Sequence, residues 1–274
     1  MTKSPDKSAC FLMKTFSTLL LFMALTATAA RAQSVTTATY QVGFGSTEVL
    51  DTYLSQEKFT GAGLTVLATR ERENPDRHWT TLVEHELTYA AVDDRSETCS
   101  ELQGDYTLLI GRLRHWQIGR LRLQAGAMGR VNLGFIYNTS NSNNPAQGRF
   151  SLQAMPTGTA SYTFKLLKKT ARLRYELQLP LAGIMFSPNY GQSYYEIFSL
   201  GNYDHNIVPT TFISAPNLRQ QLSLDWTLGS FFTLRVGYLG NYQQASVNNL
   251  KSHIYQHRLM IGLVRKFSIT KHRP

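Results

Sequence analysis

The sequence predicts an all-β protein, a transmembrane antiparallel up-and-down β-barrel of about ten strands. Three observations lead there. From Arg120 to Tyr137 the chain alternates with a period of two: Leu121, Leu123, Ala125, Ala127, Gly129, Val131, Leu133, Phe135 and Tyr137 against Arg120, Arg122, Gln124, Gly126, Arg130, Asn132 and Gly134. Successive strand side chains point to opposite faces, so this stretch has one greasy and one cationic face. Soluble strands usually run about 5–6 residues, and five segments here are longer. Lastly, the connections alternate between short and long, as in barrels with short turns at one rim and long loops at the other.

The front end is of a different kind. Lys14 precedes an apolar run from Phe16 to Ala30, closed by Ala30-Arg31-Ala32. A basic start, a short apolar core and an A-x-A exit describe a secretory signal peptide. Residues 1–32 are expected to be cleaved, leaving residues 33–274 as a single barrel domain. Met13 is a second candidate start. Removing residues 1–32 (Lys3, Lys7, Lys14 and Arg31 against Asp6, a net +3) lowers the charge of the 274-residue chain from +10 to +7. Only Cys99 then remains, so neither an internal disulfide nor a cysteine metal site is expected. No later segment resembles a transmembrane helix, and a membrane protein without one must be closed β-structure.

The strands follow in order. The first covers Thr37–Gly45 with Tyr40, Val42 and Phe44 on one face. A connection through Leu50–Leu54 leads to the second, Gly63–Arg72, and a turn over residues 73–76 to the third, Arg77–Ala91. The fourth, Asp105–Trp116, is less clean, because Arg112 and Arg114 share a face with Tyr106, Leu108 and Ile110. A bulge near Gly111 would turn these arginines inward and Leu113 outward. Arg120–Tyr137 is fifth, Arg149–Phe164 sixth and Ala171–Phe186 seventh. An aromatic loop spans Ser187–Pro216. Leu218–Leu228, Phe231–Gln243 and His253–Phe267 complete ten, with a tight turn at Gly229–Ser230. Twelve strands result if Ile207–Ile213 joins the sheet. The turns after strands two, four, six and eight are short, and the other connections longer, which places both termini in the periplasm. Trp116, Phe164, Trp226, Phe232 and Phe267 mark the periplasmic rim, and Tyr137, Phe150, Tyr242 and Tyr255 the outer one. On this reading Ala127→Arg blocks membrane insertion and Arg130→Gln does not. A soluble periplasmic barrel or sandwich, with the apolar face inward, is the competing architecture.

Two blocks carry a family likeness. Asn138-Thr139-Ser140-Asn141-Ser142-Asn143-Asn144-Pro145-Ala146-Gln147 resembles a signature of the family catalogued as domain of unknown function 3316. So does the stretch from Met185 to Asp204, with Ser187-Pro188-Asn189-Tyr190-Gly191-Gln192-Ser193-Tyr194-Tyr195-Glu196-Ile197-Phe198 at its heart. Leu50–Ser55, Val236–Gly240 and Val247–Lys251 are similar to further pieces of it. The resemblance implies an outer-membrane β-barrel of a Gram-negative bacterium with no assigned activity. Phe267, ending an alternating last strand, resembles the assembly signal of such barrels, although seven residues follow it. The implied partners are outer-membrane lipid, lipopolysaccharide and the barrel assembly machinery.

The candidate chemistry is of three kinds. Arg122, Arg130, Arg172, Arg174 and Arg219, with Arg149 and Arg258, would face the lumen opposite Glu84, Glu86, Asp105, Glu176 and Asp225. They form either a charge-paired filling or a narrow anion-preferring path. Spread along strands, they do not form a nucleic-acid platform. Tyr190, Tyr194, Tyr195, Phe198 and Tyr203 in the long loop either cap the barrel or offer a stacking surface to a glycan or protein. Asp93-Asp94 and Asp204-His205 invite comparison with the omptin proteases, which activate water with an Asp pair and an Asp-His pair. Adjacent residues alternate faces on an extended chain, so the pattern departs from that arrangement. His115, His253 and His257 have no serine partner by spacing. No catalytic residue, cofactor or metal is expected. The remaining functional readings are a structural or binding role, and narrow solute passage.

Overall fold

The computed structural model describes residues 34–74, 77–142, 144–229 and 233–268. The expected signal peptide, Pro75-Asp76, Asn143, Ser230 and Phe231-Phe232 lie outside them. The elements are β1 (Val35–Asp51), β2 (Phe59–Asn74), β3 (Trp79–Asp93), β4 (Ser100–Ile118), β5 (Leu121–Asn138), β6 (Ala146–Leu166), β7 (Lys169–Gln178), β8 (Ala182–Phe186), α1 (Tyr194–Phe198), β9 (Ile207–Thr211), β10 (Leu218–Thr227), β11 (Thr233–Val247) and β12 (Leu250–Ser268). Each of ten strands pairs antiparallel with its two neighbours. The seam closes where β12 meets β1, in register from Val35 opposite Ser268 to Asp51 opposite Ser252. The ten strands expected from periodicity are therefore the barrel.

The two extra strands extend the wall without changing its closure. β8 pairs with the upper part of β6, directly above the part that pairs with β7. β7 and β8 are thus one wall strand interrupted at Leu179-Pro180-Leu181, which the sequence reading ran through as Ala171–Phe186. Proline has no N–H to give the ladder, and the flanking amides bridge the break: Leu179 N donates to Pro156 O at 3.1 Å and Leu181 N to Ala154 O at 3.0 Å. β9 pairs with β8 and runs down towards β10, so Ile207–Thr211 does enter the sheet. Its other side meets β11 only below it, where Ser246 N donates to Ser214 O at 2.8 Å.

Side-chain directions invert the soluble pattern. Tyr40, Phe44, Leu87, Ile110, Leu133, Leu222, Leu259 and Ile261 are exposed on the outside. Arg130, Arg219, Arg258, Glu84, Glu86 and Asp225 are buried within. A soluble barrel would bury the first set and solvate the second. Apolar outside and polar inside is the distribution of a membrane-spanning barrel. Among the described residues no helix is long and apolar enough to cross a membrane; here the strands make the crossing.

The lumen is less polar than the sequence reading expected. Met128 and Ile136 sit on the inward face of β5, and each joins an apolar cluster. Ile136 packs with Val49, Phe59, Ala90, Val92 and Ile254 near the long-loop end. Met128 packs with Leu82, Leu109, Leu113 and Met155. The bulge expected near Gly111 is absent. β4 and β5 stay in unbroken register from Glu101 opposite Asn138 to Ile118 opposite Leu121. Leu113 is buried inside, and Arg112 and Arg114 point out. These arginines lie towards the short-turn end, where long side chains carry their charge to the headgroups; Arg114 reaches over the Trp116 ring at 5.8 Å.

One long connection is also corrected. β11 and β12 extend to a two-residue turn at Asn248-Asn249, with φ of +52° and +59°. Two residues at positive φ make the hairpin turn that matches strand twist, and asparagine tolerates that conformation.

Candidate functional site

The lumen divides into a charge-paired waist and a polar mouth. At the waist Arg219 gives Nε and Nη2 to Glu86 Oε2 at 2.9 and 2.8 Å. Its Nη1 lies 3.1 Å from Glu84 Oε2 and 3.6 Å from Glu176 Oε1, and it donates to Gln178 Oε1 at 3.1 Å. Arg174 Nη2 bonds Glu176 at 2.7 Å and its Nη1 bonds Glu71. Below them Asp225 takes Arg235 Nε at 2.5 Å and Arg172 Nη2 at 2.7 Å. Arg122 pairs with Glu73 at 2.9 Å nearer the short-turn end. Arg258 is held by Thr65 and Thr47 hydroxyls at 3.2 and 2.7 Å and by the Ser46 carbonyl. The sequence reading had not placed Arg235, Glu71 or Glu73 in the lumen. All three continue the inward phase of their strands, and that phase was the signal for them.

The mouth is at the long-loop end. Arg130, Asn132, Gln147, Arg149, Gln153, Ser187 and Gln243 line a cleft there, with Asp51 on its wall. α1 sits in the loop above. Its start is a capping box: Ser193 Oγ accepts from Glu196 N at 3.2 Å, and Glu196 Oε2 accepts from Ser193 N at 2.7 Å. The Ser-x-x-Glu spacing announces such a start in the sequence. The loop tyrosines divide. Tyr194 turns inward, accepts from Gly148 N at 2.6 Å and donates to Gln147 Oε1 at 2.9 Å. Its ring meets Tyr53 edge-on at 5.9 Å and stacks on Phe198 at 5.8 Å. Burial pushes its hydroxyl pKa up, so it stays a neutral donor. Tyr190, Tyr195, Phe198 and Tyr203 are all more than 60% exposed. The loop is thus anchored by one tyrosine and shows the others to solvent.

The capping box makes a testable prediction. The bonds from Ser193 hold the Glu196 carboxyl below its ordinary range. A depressed carboxylate contributes its stability above the ordinary glutamate value and loses it as pH falls through the lowered one. Ser193→Ala is therefore expected to speed protease nicking within residues 187–206 at neutral pH. The difference from the parent shrinks in strong acid. Equal nicking rates at neutral pH would remove the cap as the loop's anchor.

The acidic pairs stay apart in their contacts. Asp94 serves its own turn, taking Thr98 N at 2.9 Å, Cys99 N at 3.2 Å and Ser96 Oγ at 2.8 Å. Asp93 takes Ser100 Oγ at 2.6 Å. Asp204 and His205 contact each other at 2.5 Å, both largely exposed. No described contact joins one pair to the other. His115 lies 3.6 Å from Glu73, His253 bonds Glu48 at 2.9 Å and His257 bonds Tyr238 at 2.6 Å. Among the described residues no group of three or more His, Cys, Asp or Glu side chains could hold a metal ion.

A family model described as protein of unknown function (DUF3316) matches residues 10–274. The chain belongs to the DUF3316 family. In this DUF3316 chain the stretches 138–147 and 185–204 meet at the mouth, where the Tyr194 hydroxyl donates to Gln147 and accepts from the neighbouring Gly148 N. Solved structures similar to it include the translocator domain of the autotransporter NalP from Neisseria meningitidis. That match has 11% identity, covers 94% of this chain and 97% of that one, and has a TM-score of 0.36. The Neisserial surface protein A matches at 10% identity over 85% of this chain and 97% of its own, with a TM-score of 0.33. An outer membrane channel from Pseudomonas putida F1 matches at 10% identity over 87% and 97%, with a TM-score of 0.36. No curated protein matches the chain.

Proposed function

We propose that this DUF3316 protein is an outer-membrane barrel with a closed lumen that works as a binding protein at its outer mouth. The observation that carries the reading is the waist. Arg219, Glu84, Glu86, Arg174 and Glu176 bond one another across the lumen and are each 5% exposed or less. Paired charges held in a low-dielectric interior do not part without stranding their partners. The mouth above this waist is polar and open, and concave sites with a few convergent polar groups are where small ligands bind. By the loop-length rule the long-loop end faces outward. Lipopolysaccharide then surrounds this rim, and the barrel assembly machinery inserts the chain.

Planar-bilayer recording tests the closed lumen. The purified chain is expected to give no current steps above baseline at neutral pH. Regular steps, scaling with salt concentration, would replace this reading with solute passage. A second reading rests on the exposed Tyr190, Tyr195, Phe198 and Tyr203, which offer aromatic faces to a glycan or protein on the outside. Loss of surface binding on changing these four to serine, with the mouth residues intact, would favour it.

A further inference from the structure

We propose that Arg130, with Arg149 beside it, forms an oxyanion site in the mouth, for a carboxylate or phosphate group carried by a small solute. The proposal deepens the binding reading above and rests on it. Its starting point is a contrast among lumen arginines. Arg174, Arg219, Arg235 and Arg172 are bonded to carboxylates, and Arg258 to hydroxyls and carbonyls. Arg130 is only 2% exposed, yet among the described residues its one hydrogen bond runs from Nη1 to Gln153 Oε1, at 3.4 Å. Its Nε and Nη2 have no partner.

Those two nitrogens share one edge of the guanidinium. Their N–H bonds run parallel, at the spacing of two oxygens on a carboxylate, phosphate or sulfate. What remains unpartnered on Arg130 is thus a complete bidentate fork. Arg149 adds a third donor. Its Nη2 bonds Gln243 at 3.3 Å, while its Nε has no hydrogen-bond partner and lies 3.9 Å from Asp105 Oδ1. Both arginines line the same cleft, which opens at the mouth.

The acidic neighbours define the ligand further. Asp51 is on the cleft wall and accepts from Tyr53 N at 3.1 Å. Asp105 is taken by Gln103 Nε2. Asp51, Asp105 and, beside Arg130, Glu86 already balance the two arginines, so a single oxyanion group would be bound by geometry and not by excess charge. A polyanion would meet these carboxylates. A solute with one oxyanion group fits, its neutral remainder lying towards Gln147, Ser187 and the mouth. Entry is from the loop end, so a water-borne solute is expected and a lipid headgroup is not.

The test uses the full mature barrel, folded in a neutral detergent, with titration calorimetry in low-chloride buffer. The probes are sodium acetate, sodium phosphate and sodium sulfate, and separately micelles doped with phosphatidylglycerol. Saturable binding of a soluble oxyanion is expected in the parent. Arg130→Lys, which offers a point charge instead of a fork, is expected to weaken it by about tenfold or more. Arg130→Gln abolishes it, and Arg149→Gln weakens it less. Gel mobility with and without boiling confirms that each variant is folded; if Arg130→Gln fails to fold, Arg130→Lys decides. Equal affinities in parent and Arg130→Lys, no binding of any soluble probe, or binding of the doped micelles alone would overturn the site. A silent bilayer with no oxyanion binding removes this site and keeps the closed barrel. Conducting steps remove the closed barrel whatever the titration shows.

Discussion

Val42→Arg is expected to prevent stable insertion of the barrel. Val42 points outward from β1. The hydrogen-bonded row through it meets Val66, Leu87, Tyr106 and Leu133 in one direction and Ile261, Val236, Leu224 and Leu173 in the other. Eight neighbouring strands thus present an outward apolar side chain in this row, and Val42 itself lies in the middle of β1, seven residues from its short-turn end, within the apolar band. An arginine on the lipid face near the midplane costs about 2–4 kcal/mol, falling to about 0–1 near the interfaces. Ala127 lies at a similar depth, six residues from the short-turn end of β5. Its row meets Arg112, Thr81 and Arg72, because a row perpendicular to tilted strands changes depth around the barrel. Ala127→Arg is therefore expected to impair insertion as well. Folding yield into lipid vesicles, scored by heat-modifiable gel mobility, measures both. If both variants inserted as well as the parent, these outward faces would not meet lipid.

Face and depth are not equally legible in the sequence. The faces of β5 were readable because a period of two is local: each side chain's face follows from its neighbour's. Depth was not, because it depends on how strands slide past one another, and register across partners is set by the whole wall. β4 shows the limit of periodicity. Leu109 and Leu113 are apolar on one face, Leu108 and Ile110 on the other, so no alternation distinguishes inside from outside. Pro180 and the Asn248-Asn249 turn were legible by local chemistry, yet the apolar alternation running through the first and the polar composition around the second obscured them. The mouth was legible in part. Tyr194 and Arg130 were both marked by the sequence, but the anchoring of one and the unpartnered fork of the other come from contacts far apart in the chain. Tyr194 and Gly148 are 46 positions apart, and Arg219 and Glu86 are 133.

The Arg219–Glu86 pair carries the other large effect. Arg219→Leu is expected to destabilise the folded barrel by about 3–5 kcal/mol, because removing one partner of a buried pair leaves uncompensated charge. Here the stranded groups are Glu84 and Glu86, 1% and 2% exposed, left with long amide bonds from Gln178 Nε2 and Asn241 Nδ2, each at 3.4 Å. Arg174 still pairs Glu176 at 2.7 Å, so the loss of ion pairing falls on the first two. Arg219→Leu combined with Glu84→Leu and Glu86→Leu is expected to recover most of the stability. Apolar residues of similar volume remove the desolvation penalty along with the attraction, and Leu82, Leu109 and Leu113 already pack nearby in this lumen. Urea unfolding in lipid vesicles measures both variants. A single variant within about 1 kcal/mol of the parent would mean that water reaches the waist and screens the pair. The lumen would then be wetter than its packing implies, and the case for a closed barrel would weaken with it. A triple variant no better than the single one would instead assign the loss to misfit volume, leaving the charges as bystanders in a waist held by packing.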